Sequence, residues 1–448
     1  MVKIGLEIHG YLQTKEKLFC RCLAERTSSE PNKNICPICT GYPGSKPEMA
    51  NKEAVKKILQ IALMLNAKIN SSFIWQRKHY DWPDLPKGFQ TTISGSYAVP
   101  VAQDGEFLGI KVREMHLEED PARWNPETGE VDYNRSGLPL VEIVTEPEFK
   151  DAEQVENWLK KLVLTLAYIK ALDKNAGIKA DVNISTSGER VEIKNMNSIQ
   201  EIKKAIAYEL KRQEKERVEK KETRAWQEDK GVTVKMREKE EADDYRFISE
   251  PDLPLIKIDN VWIKDLKDKL PESPEIKLEK IIKKHNIDKT NAEILTSNLE
   301  LAEFFENIAE KIDAEFALPW VTVELLRVLN WNNKTLEQVD IQAEHFLQLL
   351  KLVKEKKITE LKAKQILNEF IPKSFLVKLD GQEKIIDRQE IKKICEKVLQ
   401  KNKKAAQDYR LGKQEALNFL LGEVMKISGK RADYKIAREE MINLLSKI

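Results

Sequence analysis

The sequence predicts an α+β protein in which an antiparallel sheet with flanking helices precedes all-helical C-terminal modules. Before about residue 262, short stretches such as residues 180–185 alternate apolar and polar side chains with the period of two that is typical of strands. Beyond that point apolar residues recur at helical spacing, for example over residues 291–311. Asp151 and Ser198 begin two amphipathic helices, which we expect to cover the back of the sheet.

The composition is that of a soluble globular protein. A length of 448 residues predicts roughly three domains and a large buried core. The 76 Lys and Arg residues nearly balance the 74 Asp and Glu residues, so any nucleic-acid binding must depend on local basic patches. The sequence shows neither a signal-peptide pattern nor an apolar run long enough to cross a bilayer. We therefore expect a cytoplasmic protein that does not contact membranes.

The first candidate site lies near the beginning of the chain. In a strand over residues 4–9, Leu6 and Ile8 point to the core while Glu7 and His9 share the opposite face. A carboxylate beside an imidazole provides half of a metal site.

Two further predicted strands offer acids in the same way. Alternation places Asp181 on the polar face of residues 180–185 and pairs Glu192 with Lys194 in the next strand. Several acids on a common face repel one another unless a cation lies among them. Carboxylates with one imidazole suit Mg²⁺ or Mn²⁺ better than Zn²⁺. The alternative is an ordinary sheet with one solvated face.

The acidic run at residues 115–120 leaves two candidates. Strict alternation groups His116 with Glu118 and leaves Glu119 on the opposite face. A bulge or the end of the strand can turn either acid inward, so both acids stay in the candidate site.

Four of the five cysteines form two close pairs, Cys20 with Cys22 and Cys36 with Cys39. Two such pairs joined by a loop fit a tetrahedral four-thiolate site, and in a reducing compartment they favour structural zinc over disulfides. Free thiols are the alternative. Cys395 stands alone in a helical stretch and is predicted to be a buried apolar residue.

Residues 77–90 form a loop of mixed chemistry. Two prolines and a glycine exclude a regular element there, and its aromatic and charged side chains, including Asp84 and Lys87, fit either a substrate-contacting surface or simple turns. The chain has no Walker loop, no Gly-x-Gly-x-x-Gly and no Gly-x-Ser-x-Gly elbow. What remains, a carboxylate-lined face with nearby lysine and arginine, suits phosphoryl transfer.

Longer motifs, in order along the chain, carry a family resemblance. They are Gly-Leu-Glu-Ile-His at 5–9, Cys-Pro-Ile-Cys at 36–39, Pro-Asp-Leu-Pro-Lys-Gly-Phe-Gln at 83–90, His-Leu-Glu-Glu-Asp at 116–120, Asp-Tyr-Asn-Arg-Ser-Gly at 132–137, Glu-Ile-Lys-Asn-Met-Asn-Ser at 192–198 and Asp-Asp-Tyr-Arg-Phe at 243–247. Together they resemble the GatB family, the B-type chains of the aspartyl/glutamyl-tRNA(Asn/Gln) amidotransferase. Residues 409–417 are similar to the tRNA-binding tail of that family, so the resemblance covers essentially the whole chain.

The resemblance implies a heterotrimer with an A-type amidase subunit and a small C-type subunit. In that family the B-type chain, with ATP and Mg²⁺, phosphorylates the side-chain carboxylate of Glu or Asp misacylated onto tRNA(Gln) or tRNA(Asn). Ammonia that the amidase releases from glutamine then displaces phosphate. The implied enzyme is a carbon–nitrogen ligase with glutamine as amide donor.

By motif, the resemblance also implies the site residues. The acidic site is expected to contain Glu7, His9, Glu118, Glu119, Asp181 and Glu192. Among these, Glu7, His9 and Glu119 are the expected Mg²⁺ ligands, with Glu118 as a further candidate. Lys194 and Arg135 are expected to face phosphate because of their charge, and Asp84 and Lys87 belong to the loop expected to contact substrate or ATP.

Three domains are expected: a catalytic, kinase-like cradle over residues 1–285 with the zinc loop at 20–39, a helical domain over 286–372 and a tRNA-binding tail over 373–448. After Asp259 the chain leaves no room for the extra domain of the archaeal Glu-tRNA-specific relative, which favours the three-subunit enzyme. Two other functions remain open. One is a non-catalytic, zinc-stabilised tRNA-binding protein, and the other is a stand-alone carboxylate–amine ligase that uses free ammonia.

Overall fold

A large mixed sheet and a separate set of helices make up the structure, a computed structural model. The structure describes residues 2–26, 30–95, 98–173, 177–238 and 245–447. Asp243 and Asp244, the first residues of the motif at 243–247, lie outside the described residues. The chain divides into two compact units, Met1–Ser273 and Pro274–Ile448.

The first unit contains all the described strands and four helices. The strands are β1 (Lys3–Tyr11), β2 (Lys68–Ile69), β3 (Ser72–Phe73), β4 (Gln76–Lys78), β5 (Gln90–Thr92), β6 (Ala102–Phe107), β7 (Ile110–Glu119), β8 (Arg123–Trp124), β9 (Val131–Asp132), β10 (Pro139–Thr145), β11 (Ile178–Ser185), β12 (Val191–Lys194), β13 (Glu222–Gln227), β14 (Val232–Glu238), β15 (Ile248–Ser249) and β16 (Ile256–Lys257). The helices are α1 (Lys52–Met64), α2 (Ala152–Tyr168), α3 (Ile199–Lys215) and α4 (Asn260–Asp268).

β1 lies near the centre of a 12-stranded sheet with the order β14-β13-β12-β11-β1-β10-β7-β5-β4-β15, to which β6 and β2 are added at β7. The described pairings in this sheet are antiparallel except that β12 and β13 run parallel. The exception has a simple cause. The helix α3 connects these two strands, and a helical crossover returns the chain to the same end of the sheet.

The predicted packing of helices on one face of the sheet is confirmed. Ile4, Leu6 and Ile8 of β1 are at most 1% exposed and belong to the same apolar core as α2 and α3. α2 begins at Asp151, whose side chain accepts from the backbone N–H groups of Glu153 and Gln154. At α3 the Ser198 hydroxyl accepts from Glu201 N. Because one face is covered, the polar side chains of alternate positions line the other face.

The described part of the second unit consists of helices and their connecting segments. Its α-helices are α5 (Pro274–His285), α6 (Lys289–Thr296), α7 (Leu299–Ala309), α8 (Ala314–Pro319), α9 (Leu326–Trp331), α10 (Ala343–Lys354), α11 (Glu360–Asn368), α12 (Arg388–Lys401), α13 (Lys403–Arg410), α14 (Glu415–Ile427) and α15 (Tyr434–Leu445). A π-helix spans Trp320–Leu325 and a 3-10 helix spans Leu336–Gln338. None of the described helices has the length and apolar content needed to cross a membrane.

Two details of the helical part bear on the predictions. The single helix predicted over residues 291–311 is wrong, because the chain breaks after Thr296 and Asn298 caps a new helix by accepting from Leu301 N at 3.0 Å. Separate apolar cores form over residues 281–377 and 385–445. The division into domains at residues 285 and 372 stays a prediction.

Candidate functional site

The polar face of the sheet brings acids from several strands together around β1. In the strand register Glu7 lies opposite Asp181 of β11, and His9 lies opposite Glu142 of β10. On the next strand, β7, Glu118 lies opposite Leu140, two residues from Glu142. Because side chains alternate between faces, these acids and His9 share the face that the helices leave uncovered.

The tightest cluster consists of Glu7, His9 and Glu142, whose ligand atoms all lie within 4.8 Å of one another. His9 Nε2 lies 3.9 Å from Glu142 Oε1 and 3.8 Å from Glu118 Oε1. Thr92 donates to the other oxygen of Glu118 at 3.2 Å. Three carboxylates around one imidazole form an oxygen-rich donor set of the kind that Mg²⁺ and Mn²⁺ prefer.

The two carboxylates at the centre of this cluster titrate in opposite directions. Burial raises the pKa of Glu142 well above its usual range, and the negative charges of Glu7 and Glu118 raise it further. Burial also acts to raise the pKa of Glu7, but its hydrogen bond with Glu142 and the charges of His9 and Lys194 outweigh burial and lower that pKa to about 2. The cluster thus crowds negative charge beyond what its own side chains balance.

A lysine neutralises the remaining acids of this face, Asp181 and Glu192. Lys194 Nζ lies 2.5 Å from Asp181 Oδ2 and 3.5 Å from Glu192 Oε1. Burial opposes the charge on Lys194, but these two carboxylates outweigh it and raise the lysine pKa. The pKa of Asp181 is raised because burial outweighs the attraction of Lys194. The structure therefore brings Asp181, Glu192 and Lys194 together as predicted, beside Glu7.

The two acids of the run at 115–120 have different surroundings. Glu118 faces His9, whereas Glu119 accepts hydrogen bonds from the Lys87 ammonium and, at 2.9 Å, from Thr91 N. Lys87 also donates to Thr91 Oγ1 at 2.9 Å. The geometry places Glu118 beside the Glu7–His9–Glu142 cluster, and Glu119 as a metal ligand stays a prediction.

Sequence reasoning missed Glu142. The signal was available, because β10 reads Leu140-Val141-Glu142-Ile143-Val144 and a single acid in an otherwise apolar strand is costly to bury without a partner. Alternation alone places it on the polar face. Only the pairing of β10 with β1, however, shows that it lies opposite His9.

Arg135 and Asp84 lie beside Asp120, the last acid of the run at 115–120. The guanidinium of Arg135 pairs with both oxygens of Asp120, with Nη2 at 3.0 Å from Oδ1, and the Tyr11 hydroxyl donates to Asp120 Oδ2 at 2.7 Å. Burial raises the pKa of Asp84, although Arg135 opposes that shift. The buried Oδ1 of Asp84 has no hydrogen-bond partner among the described residues. The ends of the predicted loop at 77–90 belong to β4 and β5, and the connection between these strands carries one unsatisfied carboxylate oxygen near the arginine that pairs with Asp120.

The four cysteines meet as predicted. One sulfur from each of Cys20, Cys22, Cys36 and Cys39 lies within 4.8 Å of the others. Tetrahedral zinc with bonds of about 2.3 Å requires sulfurs about 3.8 Å apart, so the cluster matches the size of such a site. The Cys20 hydrogen bond and the nearby Lys17 lower the pKa of Cys39 to about 5, against the effect of burial. Cys395 is fully buried, as predicted.

Comparisons with known proteins identify the family of the chain. A family model described as the GatB/GatE catalytic domain matches residues 2–264, and one described as the GatB domain matches residues 303–445. The aspartyl/glutamyl-tRNA(Asn/Gln) amidotransferase B chain of Methanocaldococcus jannaschii is 42% identical over 469 residues, covering 100% of this chain and 98% of its own. Proteins of the same name from Methanopyrus kandleri and Methanothermobacter thermautotrophicus are 41% and 42% identical, covering 97% and 96% of this chain and 96% and 97% of their own. The chain therefore belongs to the GatB family of aspartyl/glutamyl-tRNA(Asn/Gln) amidotransferase chains.

Proposed function

We propose that this chain is the phosphorylating and tRNA-binding component of an ATP-dependent, glutamine-hydrolysing amidotransferase, a carbon–nitrogen ligase of the cytoplasm. Its substrate is Glu or Asp misacylated onto tRNA(Gln) or tRNA(Asn). Its partners are an A-type amidase subunit, which releases ammonia from glutamine, and a small C-type subunit. The name of the relatives supports the substrate class and the need for other subunits. The single observation that carries the chemistry is the Glu7–His9–Glu142 cluster on the uncovered sheet face.

The donor set of this cluster fits a divalent magnesium ion. Glu7, His9 and Glu142, with Glu118 beside them, would hold it, and the motif resemblance adds Glu119 as a further candidate. A bound Mg²⁺ supplies charge neutralisation at the phosphate oxygens during transfer. The chain's own contribution is to fix the four side chains on neighbouring strands of one sheet, so that little reorganisation is needed when the ion binds.

The reaction needs activation because a carboxylate oxygen is a poor leaving group. In the first step the substrate carboxylate attacks the γ-phosphorus of ATP, the bond to the ADP oxygen breaks, and an acyl phosphate forms. In the second step ammonia attacks the acyl carbon, the carbon–oxygen bond to phosphate breaks, and the surplus proton leaves with the solvent. We assign Lys194 and Arg135 to the phosphate side because of their positive charge, and Asp84 and Lys87 to the substrate loop.

The other features of the chain fit the same function. The four cysteines fit a structural Zn²⁺, because four thiolates leave no open position for catalysis. In the second unit, a cavity of about 950 Å³ is lined by Lys401, Lys403, Lys404 and Lys413 together with the exposed Phe419. Clustered lysines beside an exposed aromatic ring suit contact with phosphate and bases, so we assign tRNA contact to this part of the tail.

The proposal is tested by replacing Glu7 with Gln in the assembled complex. Glu7→Gln keeps the size of the side chain but removes one carboxylate of the cluster, so amide formation on misacylated tRNA should fall by about 100-fold or more. Binding of tRNA should be unchanged. Glu106→Gln is the matched control, because Glu106 is an exposed acid on β6. Undiminished amide formation by Glu7→Gln would exclude the catalytic assignment and leave a tRNA-binding protein.

A second measurement distinguishes the proposed function from that of a stand-alone carboxylate–amine ligase. The rate of ATP hydrolysis is measured with free glutamate and ammonia, with and without misacylated tRNA. The proposal expects hydrolysis to depend on the tRNA substrate. Full activity with free glutamate, unaffected by tRNA, would instead indicate a stand-alone carboxylate–amine ligase.

A further inference from the structure

A buried lysine lies beside the four cysteines. The side chain of Lys17 is only 1% exposed, which places it among the largest fully buried side chains of the protein. Its Nζ donates to Cys39 Sγ at 3.5 Å and to the carbonyl oxygen of Tyr133 at 3.2 Å. A buried ammonium group is costly unless an anion lies close to it. The Cys39 sulfur is the group in contact that can carry that negative charge as a thiolate.

The charge of Lys17 suits a loaded four-cysteine site. Four thiolates around one divalent ion leave an excess of negative charge, and burying that excess is unfavourable in a low-dielectric interior. A cation held in contact with one of the sulfurs offsets part of this cost. Hydrogen bonds to ligating groups also fix their orientation, and losing such a contact typically weakens metal binding by about 10- to 100-fold.

Lys17 also connects the cysteines to the segment that carries Arg135. Its second acceptor, the Tyr133 carbonyl, begins the segment over residues 133–137. Two further hydrogen bonds hold this segment: the Ser136 hydroxyl donates to the Cys39 carbonyl at 2.6 Å, and Leu18 N donates to the Gly137 carbonyl at 2.8 Å. Arg135 is in the middle of this segment, and its side chain pairs with Asp120.

The segment passes close to both Lys17 and Cys39 at Gly137. A Cβ atom at Gly137 would lie 3.6 Å from both the Cys39 Cβ and the Lys17 Cδ, and the residue has a φ of +82° that favours glycine. The segment therefore runs directly against the lysine stem and the cysteine. Lys17 and Ser136 therefore connect Cys39 to the backbone on either side of Arg135.

We propose that Lys17 is a positioning residue that balances the thiolate charge of the four-cysteine site and joins this site to residues 133–137, which hold Arg135 against Asp120. Lys17 does not touch substrate in this proposal. The inference depends on the zinc site proposed above, and the metal content of the unaltered chain tests that site separately.

The first test compares Lys17→Met with Lys15→Met in the full-length chain. Lys17→Met keeps the length of the side chain and removes its charge, while Lys15 is an exposed lysine of the same loop. Competition with a chromophoric chelator should show that Lys17→Met binds zinc about 10- to 100-fold more weakly than the unaltered chain. The Lys15→Met control should bind zinc as the unaltered chain does.

The absorption spectrum of the cobalt-substituted site adds a measurement that a loss of packing alone would not change. With Co²⁺ in place of zinc, the sulfur-to-metal charge-transfer band of Lys17→Met should lie at longer wavelength, because removing a nearby positive charge raises the energy of the sulfur electrons. An unchanged band and an unchanged zinc affinity would overturn the proposed role of Lys17. Absence of zinc from the unaltered chain would overturn both the zinc site and this inference.

The second test needs no substitution and so remains decisive if Lys17→Met does not fold. Hydrogen exchange is measured on the unaltered chain before and after a chelator removes its zinc. Exchange should accelerate in the peptide that covers residues 133–138 and stay unchanged in α3, which packs against α2 and β11. Equal exchange of residues 133–138 with and without zinc would contradict the proposed connection.

Discussion

Two groups of buried acids in the N-terminal unit differ in how their charge is balanced. Glu209 of α3 is fully buried, yet Arg212 Nη2 lies 2.6 Å from one of its oxygens and the Thr233 hydroxyl donates to the other at 2.9 Å. In contrast, Glu142 of the candidate site forms its hydrogen bond with another acid, Glu7, and His9 lies 3.9 Å away, beyond hydrogen-bond distance. In the first group, the closed network of Glu209 and Arg212, a cation neutralises the acid. In the second group, the open cluster of Glu7, His9, Glu118 and Glu142, three carboxylates surround one imidazole.

The difference separates a structural network from a site. A buried acid that is paired with an arginine and hydrogen-bonded stabilises the local packing and gains nothing from an added ion. Acids that raise the pKa of a neighbour, as Glu7 and Glu118 do for Glu142, hold electrostatic energy that a divalent cation would release. Substitutions in the first group should therefore change stability, whereas substitutions in the second should change chemistry or metal binding.

The largest expected effect is on folding, at the closed network. Arg212→Met removes the closer of the two arginines that face the buried Glu209 and leaves only Arg224, at 3.7 Å, so the free energy of unfolding should fall by about 3 kcal/mol. Urea unfolding of the full chain measures it. Arg217→Met is the control, because Arg217 is exposed just after α3, and it should leave the unfolding midpoint unchanged. Equal midpoints for Arg212→Met and the unaltered chain would show that the network contributes nothing.

At the open cluster the effects on stability and chemistry should separate. Burial and the charges of Glu7 and Glu118 disfavour a charged Glu142, whereas a neutral Gln can still donate a hydrogen bond to Glu7, so the free energy of unfolding of Glu142→Gln should stay the same or rise. Amide formation should fall by about 100-fold, because one donor of the proposed Mg²⁺ site is lost. Urea unfolding and amide formation on misacylated tRNA are measured on the same preparation. A large loss of stability would place Glu142 with the structural acids and contradict the comparison.

The strand-level arrangement of this site could be predicted from the sequence because it depends on local alternation. Leu6 and Ile8 fix the inner face of β1, so Glu7 and His9 had to share the other face, and the same reasoning holds for Asp181. The meeting of the four cysteines was predictable for a similar reason. Two closely spaced pairs on one loop restrict the distances that the sulfurs can adopt.

Contacts between residues that are distant in the sequence could not be predicted in this way. Glu142 reaches His9 only because β10 lies beside β1, and Lys87 reaches Glu119 only because its loop folds over the end of β7. No periodicity in the sequence specifies such neighbours. The missed break before α7 is different, because its signal, the capping residue Asn298, was local and was outweighed by the continuous apolar spacing.

The two acids at 118 and 119 allow a sharper test of which side chains belong to the open cluster. Glu118 lies beside His9, so Glu118→Gln should weaken Mn²⁺ binding by about tenfold. Glu119 is already paired with Lys87, so Glu119→Gln should change Mn²⁺ binding less. Calorimetric titration of both variants measures the dissociation constants. The opposite order would support Glu119 as the ligand and require its side chain to turn away from Lys87 when the ion binds.

The smallest effect is expected where the acidic face carries its own cation. The Lys194 side chain is 32% exposed, so solvent screens its charge, and Lys194→Met should raise the KM for ATP by only about fivefold. The rate at saturating ATP should stay close to that of the unaltered enzyme, because the lysine contributes to phosphate binding more than to the reacting atoms. Lys111→Met, at an exposed position of β7, serves as the control. If the saturating rate fell while the KM for ATP stayed constant, Lys194 would act in the transition state. The group of Asp181, Glu192 and Lys194 would then contribute to the reaction as directly as the Glu7–His9–Glu142 cluster.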